Sequence, residues 1–379
     1  MEGGGRVADR LRERIRRHGP VPFSVFMEHA LYDPDTGFYA SGGTAGRRGD
    51  FITGPEVGPL FGAVISRALD AWWVAAGRPS PFVVVDAGAG PGTLARSVLA
   101  AAPQCAPALR YVLVEISAPQ RARHAEHLPI EPAAAAAIGP AGEPDTELSV
   151  LPAPPGPVVV SLAEFPAVPV HVIIANELLD NLPVDVVAWA GERWSEVLVG
   201  LGGDGFVEVL VPAAEELAAW ARQAVPEPAE GARLPVQRAA QRWLAESLDL
   251  LAPAGRLVVI DYTATTLELS ERPWLRTYRG HDRGGDPLDA PGSQDLTVDV
   301  DIDQLARVRP PTAVHTQADF LDAHGLLVLV EEGRKLWKRR AHVGDLAALT
   351  ARSRISEAEA LYDVSGLGGF TVLEWAAPP

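Results

Sequence analysis

Val83-Val84-Val85-Asp86-Ala87-Gly88-Ala89-Gly90-Pro91-Gly92-Thr93-Leu94 passes from a β-branched run through three glycines into a helical pattern. A strand that ends in such a turn lets a ligand approach the backbone closely, and the helix that follows presents free amides to it. Dinucleotide-binding folds space their glycines G-x-G-x-x-G, the third permitting close helix-to-sheet packing behind a pyrophosphate. Here the spacing is G-x-G-x-G, with Asp86 two positions before the first glycine. That pattern suits a ligand with no pyrophosphate and with cationic groups for a carboxylate to satisfy, as the sulfonium and α-amino groups of S-adenosylmethionine would be.

Working outward, short β-branched runs alternate with helical segments, the signature of parallel βαβ units. Strands are expected at 82–86, 111–115, 171–175 and 256–261, the last after a Pro253-Ala254-Gly255 turn, with a helix over 93–102 and a final strand at 370–375. Upstream, Leu60, Phe61, Val64, Ile65, Ala68, Leu69, Trp72 and Trp73 recur at helical spacing, so the tryptophans read as core. Residues 33–49 form a loop by turn chemistry, and 129–157, rich in Ala and Pro, read as irregular surface. Residues 186–212 look like antiparallel hairpins around Gly202-Gly203-Asp204-Gly205. The polar excursion 263–311 is too long for an idle loop and reads as a lid, a binding loop or a small subdomain. The expected division is 1–78, a helical and loop segment on the substrate side; 79–262, the Rossmann-like core with its hairpin extension; 263–312, the insertion; and 313–379, completing the core.

Two further segments carry candidate chemistry. Glu115 ends the second strand, where a carboxylate can accept from both ribose hydroxyls; a structural turn with a solvated acid is the alternative. Asn176-Glu177-Leu178-Leu179-Asp180-Asn181-Leu182-Pro183 follows another strand, and ligands of open α/β sheets sit outside such carboxyl ends. Its alternative is a helix N-terminus, with Asn176 capping and Glu177 complementing the dipole.

The 379 residues carry a net charge of −16, which disfavours nucleic acid; the arginines at 6, 10, 12, 14, 16 and 17 fit a solvated helix face. A single cysteine, Cys105, excludes an intrachain disulfide or a cysteine-based metal site. No stretch reaches the length of about 18 apolar residues needed for a membrane span, and no secretion signal is apparent. These features predict a soluble, cytoplasmic protein with no metal and no membrane partner. Oligomeric state is not legible.

Taken together, these residues resemble the MidA-type methyltransferases, relatives of a mitochondrial assembly factor that methylates an arginine of respiratory complex I. The resemblance rests on Gly49-Asp50-Phe51-Ile52-Thr53-Gly54-Pro55-Glu56-Val57, the loop 88–94, Val114-Glu115-Ile116-Ser117 and the stretch 176–184. It continues through Thr277-Tyr278-Arg279-Gly280-His281, Pro291-Gly292, Asp295-Leu296-Thr297-Val298-Asp299-Val300-Asp301 and Thr316-Gln317. Gly54, Asp86 and Ala89 depart from the residues usual in the family.

The resemblance implies a class I, Rossmann-like α/β fold with a mostly parallel sheet, and S-adenosylmethionine as cofactor. It implies methylation of a protein arginine, with a complex I subunit as a possible partner. Small-molecule N- or O-methylation and a noncatalytic, cofactor-binding assembly factor are the alternatives. Asp86, Gly88, Gly90, Gly92, Thr93, Glu115 and Asn176 are expected to hold the cofactor. Glu177, Asp50, Glu56 and Asp180 are the candidate carboxylates for gripping a guanidinium bidentately.

Overall fold

The computed structural model describes residues 3–40, 53–133, 155–203, 205–279 and 282–378. Seven strands build the main sheet: β1 (Phe82–Ala87), β2 (Leu109–Val114), β3 (Val158–Leu162), β4 (Val170–Asn176), β5 (Leu251–Asp261), β6 (Ala313–Thr316) and β7 (Thr371–Ala376). Their spatial order is 3-2-1-4-5-7-6. The first five run parallel, while β7 lies antiparallel to both β5 and β6. The chain reverses its direction of travel between β1 and β4, and this switch point opens a crevice at the strands' carboxyl ends. The expected Rossmann-like architecture is present, with an antiparallel strand inserted near one edge.

β1 is buried on both faces, as its run of three valines requires of a central parallel strand. Helices α3 (Pro59–Ala75) and α4 (Thr93–Ala100) cover one face, and α6 (Arg238–Asp249) covers the other. Trp72 is buried in the first of these cores, as its spacing implied, and Trp73 packs at its margin. Helix α5 (Ala118–His127) lies between β2 and β3 in the chain.

A second core lies beside the sheet. There α1 (Gly3–His18) and α2 (Phe23–Tyr32) pack on an antiparallel sheet containing Asp185–Ala190, Arg193–Gly202, Gly205–Pro212 and Arg233–Val236. The hairpins expected over 186–212 are there, and the first turns at Gly191 and Glu192, both at positive φ (54° and 68°), which matches the twist of the paired strands. In α1, Val7, Leu11 and Ile15 are buried while Arg6, Arg10, Arg14, Arg16 and Arg17 face solvent, the expected solvated stripe.

Some elements differ from the sequence reading. Pro253, Ala254 and Gly255 lie inside β5, where the register with β4 shifts between Leu251 and Arg256, so the expected turn is a bulge. β3 and β6 went unread, as did the hairpin of α7 (Leu326–Arg340) and α8 (Leu346–Tyr362). Of the Ala/Pro-rich segment, 134–154 lie outside the described residues, but Ile130 bridges to Val159 of β3. The excursion 263–311 is structured: Leu275–Arg279 pairs with Asp282–Arg283 and with Asp295–Val298.

Candidate active site

The three glycines after β1 all take positive φ, 69° at Gly88, 53° at Gly90 and 82° at Gly92, and their demands differ. A Cβ on Gly88 would come within 2.8 Å of Leu178, and one on Gly92 within 3.1 Å of Leu113 and Leu128. A Cβ on Gly90 would meet nothing within 4 Å. Gly88 and Gly92 are therefore required by packing. Gly90 faces open space, which is what close approach of a ligand needs.

Hydrogen bonds fix this loop. The amides of Gly88 and Ala89 both donate to the Val114 carbonyl, at 2.9 and 3.1 Å, and the Gly90 amide donates to Glu115 Oε2 at 2.9 Å. Glu115 Oε1 accepts from the Ser117 amide at 2.8 Å. Each oxygen keeps a lone pair for a further donor, so the carboxylate is aimed and still available. On the other side, His124 is fully buried, its Nε2 donating to the Gly90 carbonyl and its Nδ1 accepting from the Ser161 hydroxyl, both at 2.8 Å. Burial lowers the His124 pKa and keeps the ring neutral, the state this pair of bonds requires.

The loop forms one wall of a cavity of about 370 Å³. Glu28, Glu56, Asp86, Glu115 and Glu177 line it, and among the described residues its lining contains no Lys, Arg or His. Asp86, buried at the end of β1, accepts from the Tyr111 hydroxyl at 3.2 Å, and burial pushes it up to about 7. Thr93 Oγ1 donates to Glu56 at 2.6 Å, tying the one-turn helix Gly54–Val57 to the start of α4. Asn176 Nδ2 donates to Glu177 at 3.1 Å, whereas its Oδ1 is buried without a hydrogen-bond partner. Ile116, 68% exposed, and Trp243 provide apolar surface at the same cavity.

Glu177 stands just beyond β4 at φ 52°, a backbone conformation that costs a non-glycine residue energy and concentrates at functional sites. Only a three-residue 3-10 helix, Leu179–Asn181, follows it, so the alternative in which Glu177 opens an α-helix is not what the chain does. Burial, and then the charge of Asp180, push Glu177 up to about 8, against hydrogen bonds from the Gly54 amide, Asn176 and Tyr262. Asp180 is buried and raised to about 6 by desolvation. It accepts from Thr297 Oγ1 at 2.5 Å, and its Oδ1 has no partner. Asp261, fully buried, accepts the amides of Leu179 and Asp180 at 3.0 and 3.3 Å and holds the turn.

Of the residues anticipated from sequence, the structure brings Asp86, Gly88, Gly90, Thr93, Glu115, Asn176, Glu177 and Glu56 to the cavity wall. Gly92 supports the loop from behind. Asp180 lies behind the wall and not on it, held by the insertion. Asp50 falls outside the described residues. Sequence reasoning missed Tyr32 and Tyr39, which stack at 5.6 Å and donate to the Asn181 carbonyl and side chain, at 3.1 and 2.9 Å. It also missed His124, Tyr262 and Trp243; only Asp261 and Asn181 had a readable signal, their place at strand carboxyl ends.

Among the described residues no helix is long and apolar enough to cross a membrane, and no group of three or more His, Cys, Asp or Glu is arranged to hold a metal ion. The cavity fits S-adenosylmethionine on three counts: open space over Gly90, spare acceptor capacity on Glu115 and Asn176, and acidic side chains with no competing cation among the described lining residues.

Comparison with known proteins agrees. The chain is 28% identical to a Burkholderia thailandensis protein crystallised bound to S-adenosylhomocysteine, with a TM-score of 0.80 over 99% of this chain and 92% of that one. It is 27% identical to the mitochondrial protein arginine methyltransferase NDUFAF7 of Mus musculus over 79% of this chain and 68% of the relative. A shorter match, 43% identical, links 26% of the chain to the Drosophila melanogaster homologue, of which it spans 22%. The curated relatives are mitochondrial proteins, which overturns the cytoplasmic location expected from the sequence. Residues 64–317, more than half of the chain, match a single family description, and the chain belongs to that family, the S-adenosyl-L-methionine-dependent methyltransferases.

Proposed function

We propose that this methyltransferase modifies an arginine side chain of a partner protein. The observation that carries the reading is the cavity lining, which among the described residues holds five acidic side chains and no cationic one. An acceptor that arrives positively charged is suited to such a wall, and arginine, with a pKa above about 12, always arrives so. The NDUFAF7 relatives, protein arginine methyltransferases by name, point the same way. A subunit of respiratory complex I is the partner that the family resemblance suggests.

Glu177 is the candidate catalytic residue. Its carboxylate can grip one edge of the guanidinium and leave the other nitrogen directed at the methyl group. S-adenosylmethionine supplies an electrophilic methyl: the N–C bond forms as the C–S bond breaks, sulfur keeps the electron pair, and the methylated nitrogen gives up a proton. With its affinity for protons raised to about 8, Glu177 is suited to receive that proton. Asp180 acts through Glu177, whose proton affinity its charge raises, and is a positioning residue. Glu56 also lines the cavity, bonded to Thr93 Oγ1 in the one-turn helix whose Gly54 amide donates to Glu177, and there it would contact the acceptor or its backbone.

Incubation of a protein extract from cells lacking the gene with the purified enzyme and methyl-labelled cofactor tests this. Label in methylarginine after acid hydrolysis is the expected result. Label confined to small molecules, or no turnover at all, would overturn the reading.

A further inference from the structure

We propose that the tip of the α7–α8 hairpin docks on an anionic phospholipid surface. Residues 334–354 carry seven Lys or Arg, including both lysines of the chain, against one acid, Asp345. That segment is therefore +6 in a chain of −16, leaving −22 for the rest. Within the segment Asp345 pairs with Arg340 and accepts the Ala348 amide at the start of α8, and Arg334 and Lys335 pair with Glu331 one turn back on α7, so the tip's charge rests on Lys338, Arg339 and Arg352.

The cations do not stand on a purely polar surface. Val343, Leu346 and Leu349 are 55%, 80% and 53% exposed at the same tip. Leu346, Leu349 and Arg352 recur every third residue along α8, so they share one stripe. Lys338 and Arg339 are exposed at the end of α7, and Arg352 lies over the Trp337 ring at 5.3 Å. Apolar side chains at an apex ringed by long cationic ones is the arrangement that inserts shallowly among headgroups while the cations meet phosphates.

Most of the remainder is negative and repelled by an anionic surface; the arginine stripe of α1 is also basic but carries Asp9 and Glu13 among its charges and buries its apolar residues Val7, Leu11 and Ile15, so the hairpin tip is the end that offers both cations and exposed apolar side chains. Glu357, eleven residues along α8 from Leu346 or about 16 Å, accepts the Leu60 amide at 2.8 Å beside the one-turn helix that carries Glu56. A bilayer at the tip would thus lie within a short distance of the cavity wall. This inference stands independently of the arginine reading.

Flotation of the full chain with vesicles of phosphatidylcholine containing about one third phosphatidylglycerol, against pure phosphatidylcholine, tests it. The expected result is binding to the anionic vesicles at low salt, at least about tenfold tighter than to neutral ones and weakened by added salt. Lys338→Glu combined with Arg339→Glu should lower that binding at least about tenfold, and Leu346→Ser with Leu349→Ser should lower it as well. Melting temperature and adenosylhomocysteine affinity should stay unchanged in both variants. Absence of flotation, equal binding to neutral vesicles, or indifference to the charge reversal overturns the proposal; the salt dependence of the wild-type chain decides it even if a variant misfolds.

Discussion

The Gly90 amide donates to the Glu115 carboxylate at 2.9 Å, joining the turn after β1 to the end of the neighbouring strand β2. One contact thereby sets two sides of the cofactor cavity, because the same glycine's carbonyl is held by His124 on the far side of the loop.

Gly90→Val should abolish binding of adenosylmethionine and adenosylhomocysteine. A branched side chain would occupy the open space over residue 90 and oppose its φ of 53°. Glu115→Ala should weaken binding by about 1 to 3 kcal/mol, the scale for lost charge-assisted hydrogen bonds. Calorimetric titration with adenosylhomocysteine measures both, and an unchanged dissociation constant for Glu115→Ala would leave Glu115 only as a brace of the glycine loop.

Glu177→Gln should preserve fold and most cofactor affinity yet cut methyl transfer by at least about tenfold, or 1.4 kcal/mol at the barrier. Turnover and adenosylhomocysteine affinity measured on the same preparation separate chemistry from binding. Wild-type turnover would remove Glu177 from catalysis.

The pH dependence follows from the same group. Glu177 is raised from 4.5 to about 8, so the free protein holds a proton there at neutral pH that a bound guanidinium must displace. The acceptor's kcat/KM should therefore rise as pH increases from about 6 to 8. Stability moves oppositely: a carboxyl whose folded pKa lies above its unfolded one stabilises most below about 4.5, and that contribution is lost as pH climbs through about 8. Relative to wild type, Glu177→Gln should gain stability across this window, by up to a few kcal/mol. A stability difference that stays flat from pH 5 to about 8 would show that Glu177 is not protonated in the folded protein.

Thr297→Val should destabilise the protein by about 1 to 3 kcal/mol, because the buried Asp180 loses its hydroxyl donor while its other oxygen is already without a partner. Denaturant unfolding measures this. Turnover should fall with it, since Asp180 borders the turn that carries Glu177, whereas an effect on neither would mean that the insertion does not brace the site.

The sequence alone was enough for the central strand, the glycine loop and Glu115, because those are consequences of local chemistry. Three consecutive valines specify a strand buried on both faces, and a ligand-facing turn at positive φ demands glycine. It also marked Glu177, since a polar residue after a buried strand in an open sheet falls at its ligand end. What it could not supply is which distant segments meet there. Tyr39 reaches Asn181 across 142 positions and Thr297 reaches Asp180 across 117, and no periodicity encodes such a meeting. The insertion, legible as a lid or a subdomain, packs behind the Leu179–Asn181 turn, and none of its described residues lines the cavity. Asp180 and Glu177, three positions apart and chemically alike, were equivalent candidates until folding buried one behind the wall and left the other at the cavity. Desolvation raises the proton affinity of both, the Asp180 charge adds to that of Glu177, and the Thr297 hydroxyl and Arg276 charge oppose it at Asp180, so both are fixed only when the chain has closed around them.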